Sequence, residues 1–239
     1  MLHAKLVREG FKVTVKVIER IYREERLWLR CTKRKKIPKE RSAKEGREGG
    51  WRPIAANQRW SLDFTSGALA NGRTFRTANL KDDCTRECPA IDVDFSLPGE
   101  RVAEMLNRLA REREYPDILV VDNGPELRGR ALDAWADDNG VRLYFIDPGK
   151  PNQNADIESF NGRFRDECLN QHWFTSITEA REIIENWRND YTTERPHSSL
   201  KYKTPEECAA ARPLDKTQWA QTLELSEGSA PTPIAHAAE

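Results

Sequence analysis

The sequence predicts an α/β fold, a mixed five-stranded sheet flanked by helices, with a small basic helical segment at the N-terminus. Three observations carry this prediction. Trp60, Leu62 and Phe64 alternate with Ser61, Asp63 and Thr65 ahead of an Asn71-Gly72 turn signal. Ile118-Leu119-Val120-Val121 is an unbroken apolar run, and from there helical and strand periodicities alternate.

Taken in order, Thr14 is placed to cap a helix whose Ile18, Ile21 and Tyr22 form an apolar stripe. Lys16, Arg20 and Arg23 recur at i, i+4 and i+7 on another face, as in a helix that meets phosphates and groove edges. Lys33-Arg34-Lys35-Lys36 and the Gly-, Glu- and Lys-rich stretch to Gly50 read as a flexible basic linker. The 60–65 alternation is a strand with one buried face and one face turned to a site. Asn71-Gly72 returns the chain antiparallel over 73–80, and a third strand falls near 88–95.

Val102, Met105, Leu106 and Leu109 mark an amphipathic helix, and the 118–121 run suits a parallel strand covered on both faces. A helix over 128–139 stops at Gly140, a last strand fills 141–146, and Pro148-Gly149-Lys150-Pro151 makes a loop before the helix of Glu158. Ser176 and Glu179 form a capping box for a helix whose Ala180, Ile183, Ile184, Trp187 and Tyr191 line one face and must be buried on the core. After Pro213 the small, polar composition predicts a disordered, dispensable tail.

At 38% apolar and 33% charged, the 239 residues suit a soluble protein, and no apolar run approaches the roughly 20 residues of a membrane span, so the expected location is the cytoplasm. The zero formal net charge hides an asymmetry. Residues 1–53 hold 17 Lys and Arg against 7 Asp and Glu, and the remainder holds 22 against 32. That pattern is a basic nucleic-acid arm joined to an acidic body. Five cysteines without a CxxC pair argue against a disulfide framework, and Cys84 with Cys88 lacks the paired spacing of a zinc cluster. Trp60, Trp135, Trp173 and Trp187 are expected in the core.

Three acidic residues stand apart: Asp63 within Trp60-Ser61-Leu62-Asp63-Phe64, Asp122 ending Val120-Val121-Asp122-Asn123-Gly124, and Glu158 within Asp156-Ile157-Glu158-Ser159-Phe160. A carboxylate contributes nothing to packing in a strand, so one placed mid-strand has a reason beyond stability. Singly, each has an ordinary reading as a strand-edge charge, a turn residue or a solvated helix position. Together they suit divalent metal ions, since Mg²⁺ takes hard oxygen ligands and a two-metal phosphodiester site needs carboxylates converging from separate elements. Between Asp122 and Glu158 lie 35 residues.

That spacing, with Asn57-Gln58-Arg59-Trp60-Ser61-Leu62-Asp63-Phe64, Val121-Asp122-Asn123-Gly124-Pro125-Glu126, the run from Glu158 to Leu169 and Glu194-Arg195-Pro196-His197-Ser198-Ser199-Leu200, resembles the catalytic, second-reading-frame subunit of bacterial insertion-sequence transposases. Those subunits have a retroviral-integrase-like core. The resemblance runs from about Leu2 to Pro213. It implies a ribonuclease-H-like fold in which Asp63, Asp122 and Glu158 meet at one sheet edge and bind two Mg²⁺ ions, with Mn²⁺ as substitute. It further implies 3′-end cleavage by water, then strand transfer by the freed 3′-hydroxyl. Double-stranded DNA, a homo-multimer on paired element ends and a companion helix-turn-helix subunit are the implied partners, in a bacterial, nucleoid-associated setting.

The resulting division is a partial helix-turn-helix-like segment over 1–32, a basic linker over 33–53, the catalytic core over 54–172, its helical extension over 173–213 and the tail over 214–239. At about 100° per residue, Asn154, Glu158, Asn161 and Arg165 share a stripe expected to face the site and DNA, while Ile157, Phe160, Phe164 and Cys168 pack on the sheet. Arg165 matches a basic position the resembled family uses near the substrate backbone. His197 is given a structural or DNA-contact role.

Two features depart from the resemblance. The chain starts later than expected at Leu2-His3-Ala4-Lys5-Leu6, which predicts weak end recognition. Asp156 replaces an aromatic or apolar residue, points away from the metal and is expected to loosen the helix by charging a packed face. The alternative function is therefore a catalytically impaired remnant that only binds DNA or a partner, separable by metal-dependent 3′-end processing.

Overall fold

The computed structural model describes residues 2–27, 53–124, 127–146 and 154–211. The expectations for Lys33 to Lys36, for the Pro148-Pro151 loop and for the tail lie outside those residues.

Two short helices, α1 (Leu2–Arg8) and α2 (Val15–Glu24), precede the strands β1 (Arg59–Ala68), β2 (Thr74–Asp82) and β3 (Ala90–Asp94). Then come α3 (Gly99–Leu109), β4 (Ile118–Val121), α4 (Arg130–Asn139), β5 (Arg142–Phe145), α5 (Ala155–Phe164), α6 (Ile177–Asn189) and α7 (Pro205–Ala210). The sheet order is β3-β2-β1-β4-β5, with β1, β2 and β3 antiparallel and β4 and β5 parallel to β1.

The Asn71-Gly72 turn sets the hairpin register, with Gly72 at φ +83°. Ser61 thereby faces Lys81, Asp63 faces Asn79 and Thr65 faces Thr77. Further along, a Cβ on Gly67 would lie 2.4 Å from Phe75 Cζ, so this position needs glycine. Gly140, at φ +66°, closes α4 in the left-handed conformation expected of it.

Each face of the sheet carries its own core. On one, Trp60, Leu62, Leu80, Leu119 and Val121 pack against α3 and α4 through Met105, Leu106, Leu132 and Trp135. On the other, Phe75, Ile91 and Val93 pack against Ile157, Phe160 and Phe164 of α5 and Ala180 and Ile184 of α6. The expectation of a single buried face on β1 is therefore corrected. Ser61 and Thr65 are also buried, because β1 lies inside the sheet and α5 covers its polar face.

Three local expectations also change. Ser176 accepts the Glu179 N–H at 3.1 Å, but the Glu179 carboxylate turns to the Thr175 N–H (2.7 Å) rather than that of Ser176. Trp173 is 77% exposed, because the adjacent Phe174 takes the buried place and bridges to Leu69. No residue of α1 or α2 is buried: of the α2 stripe, Ile18 and Tyr22 are half-buried and Ile21 is 44% exposed, so the stripe is only partly covered among the described residues. Thr14 occupies the N-cap of α2 without a side-chain cap bond.

Both α5 and α6 run on into single π turns, Arg165–Leu169 and Asp190–Glu194. Arg195 and Glu167 form an ion pair that joins these two turns, with Nη2 donating to Oε1 at 2.6 Å. Among the described residues no helix is long and apolar enough to cross a membrane.

Candidate active site

β1 and β4 run parallel with Leu62 beside Val121, so the next residue on each, Asp63 midway along β1 and Asp122 just past the end of β4, lies at the same level. Burial is the main cause that raises the Asp63 pKa, and the charge of Asp122 adds to it. The Phe64 N–H on Oδ1 (2.8 Å), the Asn161 amide on Oδ2 (2.8 Å) and the charge of Arg165 offset part of that rise.

Asn161 belongs to α5, one turn after Glu158. Its Oδ1 accepts from Asn79 Nδ2 at 2.7 Å, and the same amide group of Asn79 donates to Thr65 Oγ1 at 3.1 Å. A line of buried polar groups thus runs from β2 through α5 to Asp63. Beyond β4, Asp122 Oδ1 accepts the Gly124 N–H at 3.0 Å. Asn123 donates to the Ile146 carbonyl past β5 (2.5 Å) and accepts from Arg128 Nη2 (2.6 Å), which fixes the backbone on which Asp122 sits.

Glu158 stands exposed on the first half of α5. The structure brings Asp63 and Asp122 together and anchors the Glu158 helix over β1 through Asn161. Among the described residues, however, no three His, Cys, Asp or Glu side chains are grouped closely enough to hold a metal ion.

The expected DNA-facing stripe divides. Glu158 and Arg165 are exposed, whereas Asn154 (7% exposed) and Asn161 (3%) are buried. Asn161 is corrected from a DNA contact to a partner of Asp63, and Asn154 lies too deep to present itself to a duplex. The cause is the polar face of β1 and β2, which gives α5 something to hydrogen-bond on its inner side. Asp156 does not load a packed face with unpaired charge, since its Oδ1 pairs with Arg86 Nη1 at 2.7 Å. Arg20, on exposed α2, lies 3.7 Å from Glu24. His197 is buried edge-on against Tyr191, with ring centroids 4.8 Å apart. Burial first, then Arg195 and Arg163, push its pKa down to about 4, which leaves it a neutral structural group at ordinary pH. Cys84 and Cys88 are both buried.

Sequence reasoning missed Asn79, Asn123, Arg128 and Arg86. Asn79 alone carried a usable signal, because the hairpin turn places it opposite Asp63 and a mid-strand Asn invites the same question as a mid-strand Asp.

This sheet order, with helices on both faces and acidic residues midway along its first strand and at the end of its fourth, defines an integrase-type, ribonuclease-H-like core. The integrase core domain family matches over residues 53–151 and again over 139–205. The insertion element IS407 uncharacterized 31.7 kDa protein of Burkholderia multivorans is 48% identical over 212 residues, spanning 87% of this chain and 74% of that protein. The insertion element IS476 uncharacterized 39.2 kDa protein of Xanthomonas euvesicatoria is 43% identical over 212 residues, and the chain spans 59% of its length. This chain belongs to the insertion-sequence transposase family with an integrase-like core. A simian T-cell lymphotropic virus intasome structure, in complex with PP2A regulatory subunit B56 gamma, superimposes with a TM-score of 0.56 at 12% identity. That match covers 79% of this chain and 63% of the other, and shares the fold.

Proposed function

We propose that this chain cuts DNA at the ends of a mobile element and joins the freed ends to target DNA. In this reading Asp63, Asp122 and Glu158 hold two divalent ions, Mg²⁺ or, in its place, Mn²⁺. The observation that carries the reading is the placement of Asp63, midway along β1, beside Asp122 at the end of the adjacent parallel strand β4. The helix of Glu158 is bonded to that pair through Asn161. The donor set fits such ions, because all three groups offer hard oxygens. A buried carboxylate destabilised by a second carboxylate is also one that a cation relieves.

When bound, the ions supply Lewis-acid activation of the attacking oxygen and stabilise the departing 3′-oxygen. The chain's own residues orient and position. Asn161 and the Phe64 N–H hold the Asp63 carboxylate, Asn123 and Arg128 hold the backbone beside Asp122, and Arg165 offers positive charge next to Asp63 for a strand phosphate. In end cleavage water attacks the phosphodiester and the element's 3′-hydroxyl leaves. In strand transfer that hydroxyl attacks a target phosphodiester and the target's 3′-oxygen leaves. No side chain becomes covalently attached.

Residues 54–172 form the catalytic core in this reading, with 173–213 as its extension. Lys16, Arg20, Arg23 and Lys33 to Lys36 supply sequence-independent phosphate contacts. The working unit is a homo-multimer on paired ends together with a companion helix-turn-helix subunit.

The test is a cleavage and strand-transfer assay with the full chain, Mg²⁺ or Mn²⁺, and DNA carrying candidate element ends. Expected are 3′-nicked ends and joined products, both abolished by a chelator. DNA binding without cleavage in either metal would instead favour a chain that only binds.

A further inference from the structure

We infer that Arg86 and Asp156 form a positioning clamp that fixes the first turn of α5 and, through it, Glu158. The inference rests on the reading of Glu158 as a metal-holding carboxylate.

Asp156 is the second residue of α5, where a carboxylate also complements the partial positive charge of the helix start. Two steps along a helix turn a side chain by about 200°, so Asp156 and Glu158 leave α5 on opposite sides. Asp156 reaches the connection between β2 and β3, where Arg86 Nη1 meets its Oδ1 at 2.7 Å. One turn beyond Glu158, Asn161 is bonded to Asp63. Glu158 therefore lies between two anchors. The earlier one matters because Asn154, at the N-cap, makes no side-chain cap bond, and an uncapped first turn frays.

Arg86 is itself held firmly. Its backbone adopts φ +67°, and its N–H bonds the Asp82 carbonyl at 2.9 Å. The wholly buried Asp82 carboxylate accepts the N–H groups of Asn57 (2.7 Å), Cys84 (2.8 Å) and Thr85 (2.9 Å), which locks this connection in shape. Beneath it Lys81, only 2% exposed, lies 3.8 Å from Asp83. Asp83 in turn accepts from Ser61 Oγ at 2.7 Å and pairs with Arg59 at 2.8 Å. Buried positive charge needs compensation. Asp156 supplies part of it, since its charge favours the protonated forms of both Lys81 and Arg86.

The clamp's side chains are 27% and 46% exposed, and a pair that open to solvent contributes little to folding. Its effect belongs to local order and metal affinity, not to the melting temperature.

The test uses the full chain carrying Asp156→Asn, Arg86→Gln, both together, and the charge-keeping Asp156→Glu and Arg86→Lys. Each neutral single variant should speed hydrogen–deuterium exchange at residues 157–160 and weaken Mg²⁺ binding by calorimetry about tenfold, the lower end for removal of an outer-shell partner of a metal ligand. The double variant should be no worse than the more damaged single, because both act through one ion pair. The charge-keeping variants should recover most of the wild-type behaviour. Wild-type exchange in both neutral singles, or fully additive damage in the double, would overturn the clamp. Should a neutral single fail to fold, the charge-keeping pair decides, and rapid exchange there counts against it. A wild-type chain that neither binds Mg²⁺ nor cuts DNA would sink the functional reading instead, while the exchange measurement still judges the clamp.

Discussion

Asn161 Nδ2 donates to Asp63 Oδ2 at 2.8 Å while its Oδ1 accepts from Asn79 at 2.7 Å, so one amide links β1, β2 and α5. Its orientation is not free. A carboxylate only accepts, so the NH₂ must face Asp63, which leaves the oxygen for Asn79, whose own amide group then donates. Reversing either amide would set like groups against each other in a buried place. Asn161 is where the sequence suggested a DNA contact, and the structure gives it to the acidic pair instead.

The Asn161 bond lowers the Asp63 pKa against a rise caused first by burial and then by Asp122. Asn161→Ala removes that restraint, so the Asp63 pKa moves further up. On the proposed reading, the acidic limb of the pH–rate profile shifts to higher pH. Asn161→Asp, which sets another carboxylate against Asp63, shifts it further. A limb that stays in place in both variants would remove Asn161 from the site.

Asp63→Asn, Asp122→Asn and Glu158→Gln should each abolish cleavage and strand transfer while leaving DNA affinity within about twofold, a difference of only roughly 0.4 kcal/mol. For Asp63 there is a second readout. Its folded-state pKa lies above the unfolded value, so its contribution favours folding at low pH and is lost as pH rises through the folded value. Asp63→Asn is therefore expected to keep or raise the melting temperature at neutral pH, with the gain shrinking as pH falls. A large neutral-pH drop would mean the carboxylate is a structural strut, and near-normal activity in any of the three variants would exclude that residue.

Lys16, Arg20 and Arg23 lie on a helix with no buried residue, which suits an encounter with phosphates at the surface. In the full chain, Lys16→Gln with Arg23→Gln should weaken DNA binding on all sequences alike. The slope of log affinity against log salt should also become shallower by about 0.9 for each phosphate that is no longer neutralised. Arg20 is left in place because Glu24 already shares its charge. An unchanged slope would send the DNA footprint elsewhere.

Most of the sheet was legible because its signals are local. Asn71-Gly72 fixes the hairpin register, the 118–121 run marks the doubly covered strand, and Gly140 ends α4. The acidic pair was legible for a related reason, since Asp63 and Asp122 interrupt or end apolar strands, where a carboxylate contributes no packing. The partners were not. Asn161 bonds to Asp63 across 98 residues, and Asp156 reaches Arg86 across the domain, so neither pairing leaves a mark in periodicity. Helical spacing alone put Asn154, Glu158, Asn161 and Arg165 on one solvent-facing stripe. That reading failed for the two asparagines because the sheet face beneath them is polar, a property of β1 and β2 together. Trp173 and Phe174 make the same point, since composition marks both as core and only the chain path decides which one turns inward.

The α6 stripe gives the last prediction. Trp187 is half-buried, with its ring centroid 5.6 Å from that of Phe160, 5.0 Å from Phe164 and 5.3 Å from Tyr191. It therefore joins α6 to the apolar side of α5. Truncating a buried aromatic costs about 3–5 kcal/mol, and partial exposure puts Trp187→Ala near the lower end. For a domain of this size each kcal/mol moves the midpoint by roughly 2–4 °C, so a fall of about 6–12 °C is expected by calorimetry or circular dichroism. Trp187→Phe keeps most of the ring packing and should be less than half as damaging. If Trp187→Ala melts with the wild-type chain, the ring is not packed on α5 in solution, and the coupling of α6 to the candidate site would have to run through its other contacts, Ala180, Ile184 and the edge-on packing of Tyr191 on Phe160.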